Sequence, residues 1–149
     1  MKWIDLPPVW LALAVSITWW ISALQPAVLQ LDLPVLDLFG ALLVGAGIVL
    51  MLLAVVEMRK KHTTVIPHQE ASHLVITGIF ARTRNPIYLG DAFVLAGLAL
   101  RWDTPVALIL VPLFVFTITQ RFILPEEDRL RRKFRADFAG YCQKTRRCM

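Results

Sequence analysis

The chain is short of charged residues, and this shortage excludes an ordinary soluble domain. Charged residues make up 18% of its 149 residues, whereas a soluble domain typically has about 25%. The mean hydropathy is +0.61, and the apolar residues come in long runs rather than at helix or strand period. The composition therefore predicts a protein that lies within a membrane.

Cysteine is also scarce, and the histidines are too few and too far apart for a metal site. The two cysteines, Cys142 and Cys148, fit no zinc motif, and their place in a basic tail argues against a disulfide. The three histidines, His62, His68 and His73, are six and five residues apart, which matches no pair of metal ligands on a helix. We predict free thiols and no metal.

Four apolar segments predict an all-α integral membrane bundle of about four transmembrane helices that forms a single domain, residues 1–149. The expected spans are residues 9–24, 36–58, 87–102 and 106–124, with a polar segment at 59–86 and a tail at 125–149. The third segment is short for a full span. Gly40, Gly45 and Gly47 in the second span favour close helix packing. These glycines, together with Gly90 and Gly97 in the third span, are expected to leave room for a ligand within the bundle.

The distribution of Lys and Arg predicts the orientation of the chain. From Arg121 onward there are nine Lys or Arg and four Asp or Glu, whereas the linker 25–35 has no Lys or Arg. The positive-inside rule places the N-terminus, the polar segment and the tail in the cytoplasm. A basic tail can bind nucleic acid, but anionic lipid headgroups are the simpler partner for a membrane chain. We therefore expect membrane lipids as partners and no nucleic acid, in the inner membrane of a bacterium.

The tail has the pattern of an amphipathic helix that lies on the membrane surface. Leu130, Phe134, Phe138 and Tyr141 recur every three or four residues and form one apolar stripe. Arginine and lysine occupy most of the other positions. This is the pattern of an interfacial helix.

The first polar cluster lies where the third span begins. Pro86 suits the first turn of a helix, and Asn85 before it suits an N-cap. Free backbone N–H groups next to Arg84 could hold an anion or a carboxylate. A capped helix start with an arginine that reaches the interface would have the same spacing.

The second cluster is three consecutive acids, Glu126, Glu127 and Asp128, directly after Pro125. They suit the first turn of a helix, where negative charge is favourable. They could equally bind a cationic group of a ligand.

Together these clusters resemble the isoprenylcysteine carboxyl methyltransferase and phospholipid methyltransferase group of membrane enzymes. The resemblance extends from Lys60 to Arg147. It is carried by residues 63–67, 74–80 and the R-N-P-I-Y-L-G string at 84–90, and then by Glu126 and Glu127 with Phe134 and Tyr141 downstream. The chain has His62 and Arg135 where members commonly have glycine, and Phe138 where they have tyrosine.

The resemblance implies a methyltransferase that uses S-adenosylmethionine in a pocket facing the cytoplasm. It implies that the ammonium of the cofactor contacts Glu126 and Glu127. The other residues implied at the cofactor site are Leu74, Val75, Gly78, Asn85, Pro86, Tyr88, Gly90 and Tyr141. The candidate catalytic residues are Arg84, Asp91 and Glu127.

Asp91 and the methyl acceptor leave alternatives open. A carboxylate inside a span is a functional candidate, and Asp91 could act as a base or pair with Arg84 or Arg121. The acceptor is expected to be a lipid-like or apolar-tailed carboxylate, thiol or amine, and only an amine needs a base. A small water-soluble acceptor is the competing interpretation.

Three other functions are compatible with a small helical membrane protein. A multidrug-type transporter needs a carboxylate in a span, and residues 9–24 of the first span contain no ionisable group. A related membrane reductase with a nicotinamide cofactor and a non-catalytic membrane subunit of the same fold stay open.

Overall fold

The computed structural model of the protein describes residues 6–61 and 74–147. The three histidines, the 63–67 part of the resemblance and Cys148 lie outside the described residues. Within the described ranges the fold is all-α, as predicted, and contains no β-strand beyond one isolated bridge between Thr83 and Arg146.

Five helices carry the fold, and several begin at a proline. They are α1 (Pro7–Leu24), α2 (Pro34–Lys60), α3 (Pro86–Arg101), α4 (Leu110–Ile118) and α5 (Leu124–Lys144). Proline suits the first turn because its fixed φ is already helical and the missing N–H has no partner there anyway. Prolines stand at the starts of α1, α2, α3 and α5, and at the start of a 3₁₀ segment, Pro105–Ile109, that leads into α4.

Three helical runs in the described part of the chain are long and apolar enough to cross a membrane: Pro7–Leu24, Pro34–Lys60 and Pro105–Lys144. The remaining helix, α3, lies outside these three runs. It has 16 residues and is therefore about 24 Å long at 1.5 Å per residue. It is shorter than the ~30 Å hydrocarbon core.

Paired glycines hold α2 and α3 in close antiparallel contact. A Cβ on Gly90 would lie 2.7 Å from the carbonyl oxygen of Gly47, and one on Gly97 would lie 2.6 Å from that of Gly40. Gly45 has no neighbour within 4 Å of such a Cβ. Close packing is thus confirmed at two of the three glycines of α2. The expected room beside Gly90 and Gly97 is absent, because the backbone of α2 fills it.

The main apolar core lies where α1, α3 and the last helical run meet. Leu95 of α3 packs with Phe114, Ile118, Phe122 and Ile123, and one face of α1 covers this cluster. Most other large apolar side chains of α1 and α2 are exposed, as expected for surfaces that face lipid.

Polar contacts join the helices at the end of the bundle where α1 and α3 end. Arg101 pairs with Asp37 at 3.0 Å, and the Gln25 amide donates to the carbonyl of Asp103 at 2.9 Å. The Asp103 carboxylate accepts the backbone N–H of Asp32 at 2.8 Å. This end is therefore fixed, and the candidate site lies at the other end.

The predicted tail helix continues the last span rather than forming a separate element. A π-helical segment, Thr119–Ile123, joins α4 to α5, and α5 is interrupted at Arg135, with φ 38° and ψ −106°. Phe138 and Tyr141 are 1% and 8% exposed because the protein itself covers them. The predicted lipid-facing stripe is therefore wrong for these two residues: the Tyr141 hydroxyl donates to the carbonyl of Phe80, and the ring of Phe138 packs beside that of Tyr141.

Candidate functional site

The candidate site lies at the end of the bundle where α2 ends and α3 and α5 begin. A 3₁₀ turn, Gly78–Ala81, precedes residues 82–85, which lead into α3. Residues 145–147, which follow α5, run beside this lead-in. The backbone N–H of Arg84 donates to the carbonyl of Arg146 at 3.0 Å.

The kink in α5 is what returns the chain to this place. Arg147 lies 20 residues after Glu127, and a straight helix of that length would separate them by about 30 Å. Their side chains are instead in contact, at 2.7 Å between Nη2 and Oε2. The kink at Arg135 and the extended chain after Lys144 account for the difference.

Glu127 is a buried carboxylate held by two arginines. It is 6% exposed, and Arg147 donates to it through Nε at 3.0 Å and Nη2 at 2.7 Å. Nη2 of Arg84 lies 3.4 Å from its Oε1. Two-point contacts of this kind are among the strongest ion pairs in proteins, and the local charge of the three groups is one positive.

Arg84 brings a donor that the protein leaves without a partner. Its side chain is 13% exposed, and its Nε is buried with no hydrogen-bond partner among the described residues. An unsatisfied buried donor is costly, so this atom marks a position where an acceptor from a ligand fits.

Asn85 occupies the predicted N-cap position, but its side chain makes no capping hydrogen bond. Its Nδ2 donates instead to the carbonyl of Arg147 at 3.0 Å, and Thr83 Oγ1 donates to the same oxygen at 3.3 Å. Pro86 stands at the start of α3, as predicted. The lead-in to α3 thus fixes the backbone of Arg147.

The first turns of α3 and α5 meet through Tyr88 and Glu126. The Tyr88 hydroxyl donates to Glu126 Oε2 at 3.3 Å. Asp91 lies one turn further along α3 and is 5% exposed. Arg84 and Arg121 are the two candidate arginine partners of Asp91. Arg84 contacts Glu127, and Arg121 lies over the ring of Trp10 at 5.4 Å.

Tyr141 links the second half of α5 to the 3₁₀ turn. Its hydroxyl donates to the carbonyl of Phe80 at 2.6 Å in a buried contact. The ring of Phe138 packs at 6.3 Å from that of Tyr141.

Three of the predicted cofactor residues, Val75, Gly78 and Gly90, contact α2. Val75 packs with Ala54 and Phe80, while Leu74 is half-buried beside it in sequence. Gly78 has a φ of 62°, and a Cβ there would lie 2.8 Å from Cδ of Glu57. Gly90 packs against Gly47. These residues stabilise the 3₁₀ turn and the contact between α2 and α3. In the described part of the chain, none of them is among the hydrogen-bonding or ion-pair partners of Glu127.

A groove of about 340 Å³ opens between the end of α2 and the 3₁₀ turn. Leu53, Val56 and Ile79 line its apolar part, and Glu57 and Arg82 lie at its charged part. Thr77 Oγ1 donates to Glu57 Oε1 at 2.6 Å, which fixes this carboxylate at the edge of the groove.

Arg147 is the main site residue that the sequence does not reveal. Nothing near it in the chain distinguishes it from the other arginines of the tail, and its partners lie 20 to 64 residues away. The kink that brings it back carries one signal, because Arg135 stands where the resembling family commonly has glycine.

A protein-family model described as phospholipid methyltransferase matches residues 36–137 of the chain. The match includes both sequence clusters and ends before Tyr141 and Arg147. Comparison with curated proteins and with solved structures gave no match.

Proposed function

The chain belongs to the phospholipid methyltransferase family, and we propose that it is a methyltransferase that uses S-adenosylmethionine to methylate a lipid-like acceptor. The observation that carries this proposal is the cluster formed by Arg84 and Asn85 at the start of α3 and by Glu126 and Glu127 at the start of α5. The two halves of the motif lie about 40 residues apart in the chain, and hydrogen bonds and ion pairs connect them at one end of an integral membrane bundle.

The residues present fit the methionine portion of the cofactor, which carries a carboxylate and an ammonium. The unpartnered Nε of Arg84 and the positive end of α3 suit the carboxylate. Glu126 and Glu127 supply negative charge for the ammonium. Tyr141, whose hydroxyl donates to the carbonyl of Phe80, holds the 3₁₀ turn Gly78–Ala81 beside the position expected for the adenosine.

When bound, S-adenosylmethionine supplies a methyl group on a positively charged sulfur, from which an acceptor can displace it in line. The task of the protein in such a transfer is alignment and exclusion of water. Arg84 and Glu127 serve by fixing the position of the donor. Asp91, buried one turn below Tyr88, is placed to accept a proton when the acceptor is an amine; a carboxylate or thiolate acceptor needs no base.

The surroundings of the site support an acceptor with an apolar tail. Apolar side chains of α2, such as Leu53 and Val56, are about half exposed and continue into the groove beside Glu57. A lipid could place its tail along α2 and its headgroup at the charged part of the groove. Each CH₂ buried there contributes about 0.8 kcal/mol.

The distribution of charge supports a site on the cytoplasmic side of the membrane. Arg84, Glu127 and the basic tail lie at one end of the bundle, and the linker 25–35 at the other end has no Lys or Arg. Under the positive-inside rule, this asymmetry favours a cytoplasmic location for both termini and the site.

Isothermal titration calorimetry on the purified protein in detergent tests the cofactor. We expect S-adenosylmethionine and its demethylated product to bind, and Glu127→Gln to weaken binding by about 1.5–3 kcal/mol. Asp128→Asn is the matched control, because Asp128 is the next acid along but its side chain is 57% exposed and contacts only Arg131 among the ion pairs described. Failure of the wild-type protein to bind either ligand, or binding of a nicotinamide cofactor in their place, would overturn the proposal.

A series of thiols, carboxylates and amines of increasing tail length tests the acceptor. We expect the apparent KM to fall as the tail grows, until the groove is filled. Rates that do not depend on tail length would indicate a water-soluble acceptor instead.

A further inference from the structure

One face of α2 lines the groove between the end of this helix and the 3₁₀ turn Gly78–Ala81. Leu53, Val56, Glu57 and Lys60 have the spacing i, i+3, i+4 and i+7, which places them on the same side of a helix. Leu53 and Val56 are 50% and 48% exposed and belong to the apolar surface of α2. The groove therefore runs from the part of α2 that faces lipid to the charged end of the helix.

The negative charge of the groove is already compensated within the protein. Glu57 Oε1 accepts the Thr77 hydroxyl at 2.6 Å, and Nζ of Lys60 lies 3.6 Å from its Oε2. The backbone of Gly78 closes over the same carboxylate, since a Cβ there would lie 2.8 Å from Cδ of Glu57. The side chain of Glu57 is 15% exposed. It is therefore poorly placed to take the ammonium of a ligand.

Arg82 brings the positive charge that is left over. It lines the groove, it is exposed, and its side chain makes no hydrogen bond or ion pair within residues 6–61 and 74–147. Its backbone N–H donates to the carbonyl of Ile79 at 3.1 Å, which fixes the base of the side chain. Since Glu57 and Lys60 cancel, the ionisable residues of the lining sum to one positive charge. This charge complements a ligand with one negative charge.

The groove has the size of a headgroup site rather than of a whole lipid. Its volume of about 340 Å³ is at the lower end of the range for small-molecule sites, about 300–1,000 Å³. The acyl chains have a place outside it, on the exposed apolar surface of α2. Val49 and Leu52 continue the side of the helix on which Leu53 and Val56 lie, and they are 53% and 59% exposed.

We propose that this groove binds an anionic phospholipid of the membrane, with Arg82 contacting the phosphate and the acyl chains lying along α2. The planar guanidinium of arginine presents several donors in a geometry that matches phosphate. The cationic part of a zwitterionic headgroup would instead meet Arg82 and Lys60, because Glu57 is already engaged. The anionic lipid is a ligand of the groove whether or not it accepts a methyl group, so this inference does not rest on the proposed function.

Native mass spectrometry of the purified protein in detergent tests the site, with no S-adenosylmethionine present. The probes are dioleoylphosphatidylglycerol and dioleoylphosphatidylcholine, which share their acyl chains and a phosphate and differ in the net charge of the headgroup. We expect the wild type to prefer the first lipid by roughly fivefold or more, the scale for one cation beside an anionic headgroup. Arg82→Gln should abolish this preference, and Arg82→Lys should retain most of it.

Two further variants separate the groove from general attraction to anionic lipid. Arg132→Gln removes a positive charge from an exposed position on α5 and should leave the preference unchanged. Glu57→Gln keeps an oxygen that can accept from Thr77 but removes the negative charge, and it should strengthen binding of phosphatidylglycerol by a few-fold, about fivefold at most. Because Arg82 is exposed, its variants should unfold at the same temperature as the wild type in detergent without lipid.

Equal binding of the two lipids by the wild type would overturn the proposal. So would an equal loss of phosphatidylglycerol binding in Arg82→Gln and Arg132→Gln, which would indicate attraction to the whole basic surface. Weaker binding of phosphatidylcholine in Glu57→Gln would assign this carboxylate to a headgroup cation and would also overturn it. A protein that shows the expected lipid preference but binds no S-adenosylmethionine would contradict the proposed function and support this site.

Discussion

Three consecutive acids at the start of α5 have three different environments. Glu127 is buried between two arginines, Glu126 accepts the Tyr88 hydroxyl, and Asp128 is exposed beside Arg131. Successive residues of a helix point about 100° apart, so neighbours in the sequence face different parts of the structure. The string of acids indicates negative charge at this helix start, but the role of each carboxylate depends on which helix it faces.

Tyr141 tests whether the second half of α5 supports the turn before α3. Tyr141→Phe removes a buried hydrogen bond of 2.6 Å and leaves the Phe80 carbonyl without that donor. We expect the free energy of unfolding to fall by about 1–3 kcal/mol, measured by thermal unfolding in detergent. The other tyrosine of the chain provides the control: Tyr88→Phe removes a longer bond to Glu126 and should cost less. Equal stability of wild type and Tyr141→Phe would contradict this role.

At the scale of the elements, the contact between α2 and α3 determines where the start of α3 lies. The reciprocal contacts of Gly40 with Gly97 and of Gly47 with Gly90 bring the two backbones together. Van der Waals packing of small residues is a main source of helix association in lipid. Gly90 thus acts on the site by positioning the helix that carries Arg84 and Asn85 at its beginning.

Replacing these glycines with alanine should give opposite results at two positions. Gly90→Ala places a Cβ 2.7 Å from the Gly47 carbonyl, and we expect a loss of about 1–3 kcal/mol in stability because the helices must separate. Gly45→Ala meets nothing within 4 Å and should be neutral or stabilising by up to about 1 kcal/mol. Thermal unfolding of both variants in one detergent makes the comparison, and similar effects at the two positions would contradict the packing.

The kink in α5 rests on an unfavourable backbone conformation. Arg135 has φ 38°, in the region that favours glycine because a Cβ is crowded there. Arg135→Gly should therefore stabilise the protein by about 1 kcal/mol while retaining cofactor binding. Arg132→Gly, at an exposed position in the regular part of α5, should destabilise by about 1 kcal/mol. If the Arg135→Gly variant has a lower free energy of unfolding than the wild type, the backbone at Arg135 is not strained.

For the whole molecule, both clusters and the basic tail must lie on one side of the membrane. A reporter fused after Met149 should behave as cytoplasmic, because Lys and Arg concentrate at that end of the bundle. A second fusion within the linker 25–35 is the control and should behave as translocated. A translocated reporter after Met149 would place the site on the other face.

The sequence alone determined the class of the molecule and several of its helix starts. Long apolar runs commit the chain to helices in a membrane because unpaired backbone groups cannot be left in lipid. Prolines such as Pro34 and Pro86 mark helix starts through their own fixed φ. The R-N-P-I-Y-L-G string and the acids after Pro125 also stand out locally, and the family match to residues 36–137 confirms the resemblance.

Only the tertiary structure decided how these parts meet. Arg147 contacts Glu127 because α5 is kinked at Arg135 and the chain turns away from the helix after Lys144. The Asn85 amide donates to the carbonyl of Arg147 because residues 145–147 run beside it. The glycines leave no room for a ligand between α2 and α3, because Gly40 lies opposite Gly97 and Gly47 lies opposite Gly90, and the two backbones are in contact there. Each of these contacts joins residues at least 20 positions apart, and a local pattern carries no information about which distant residue will occupy the facing position.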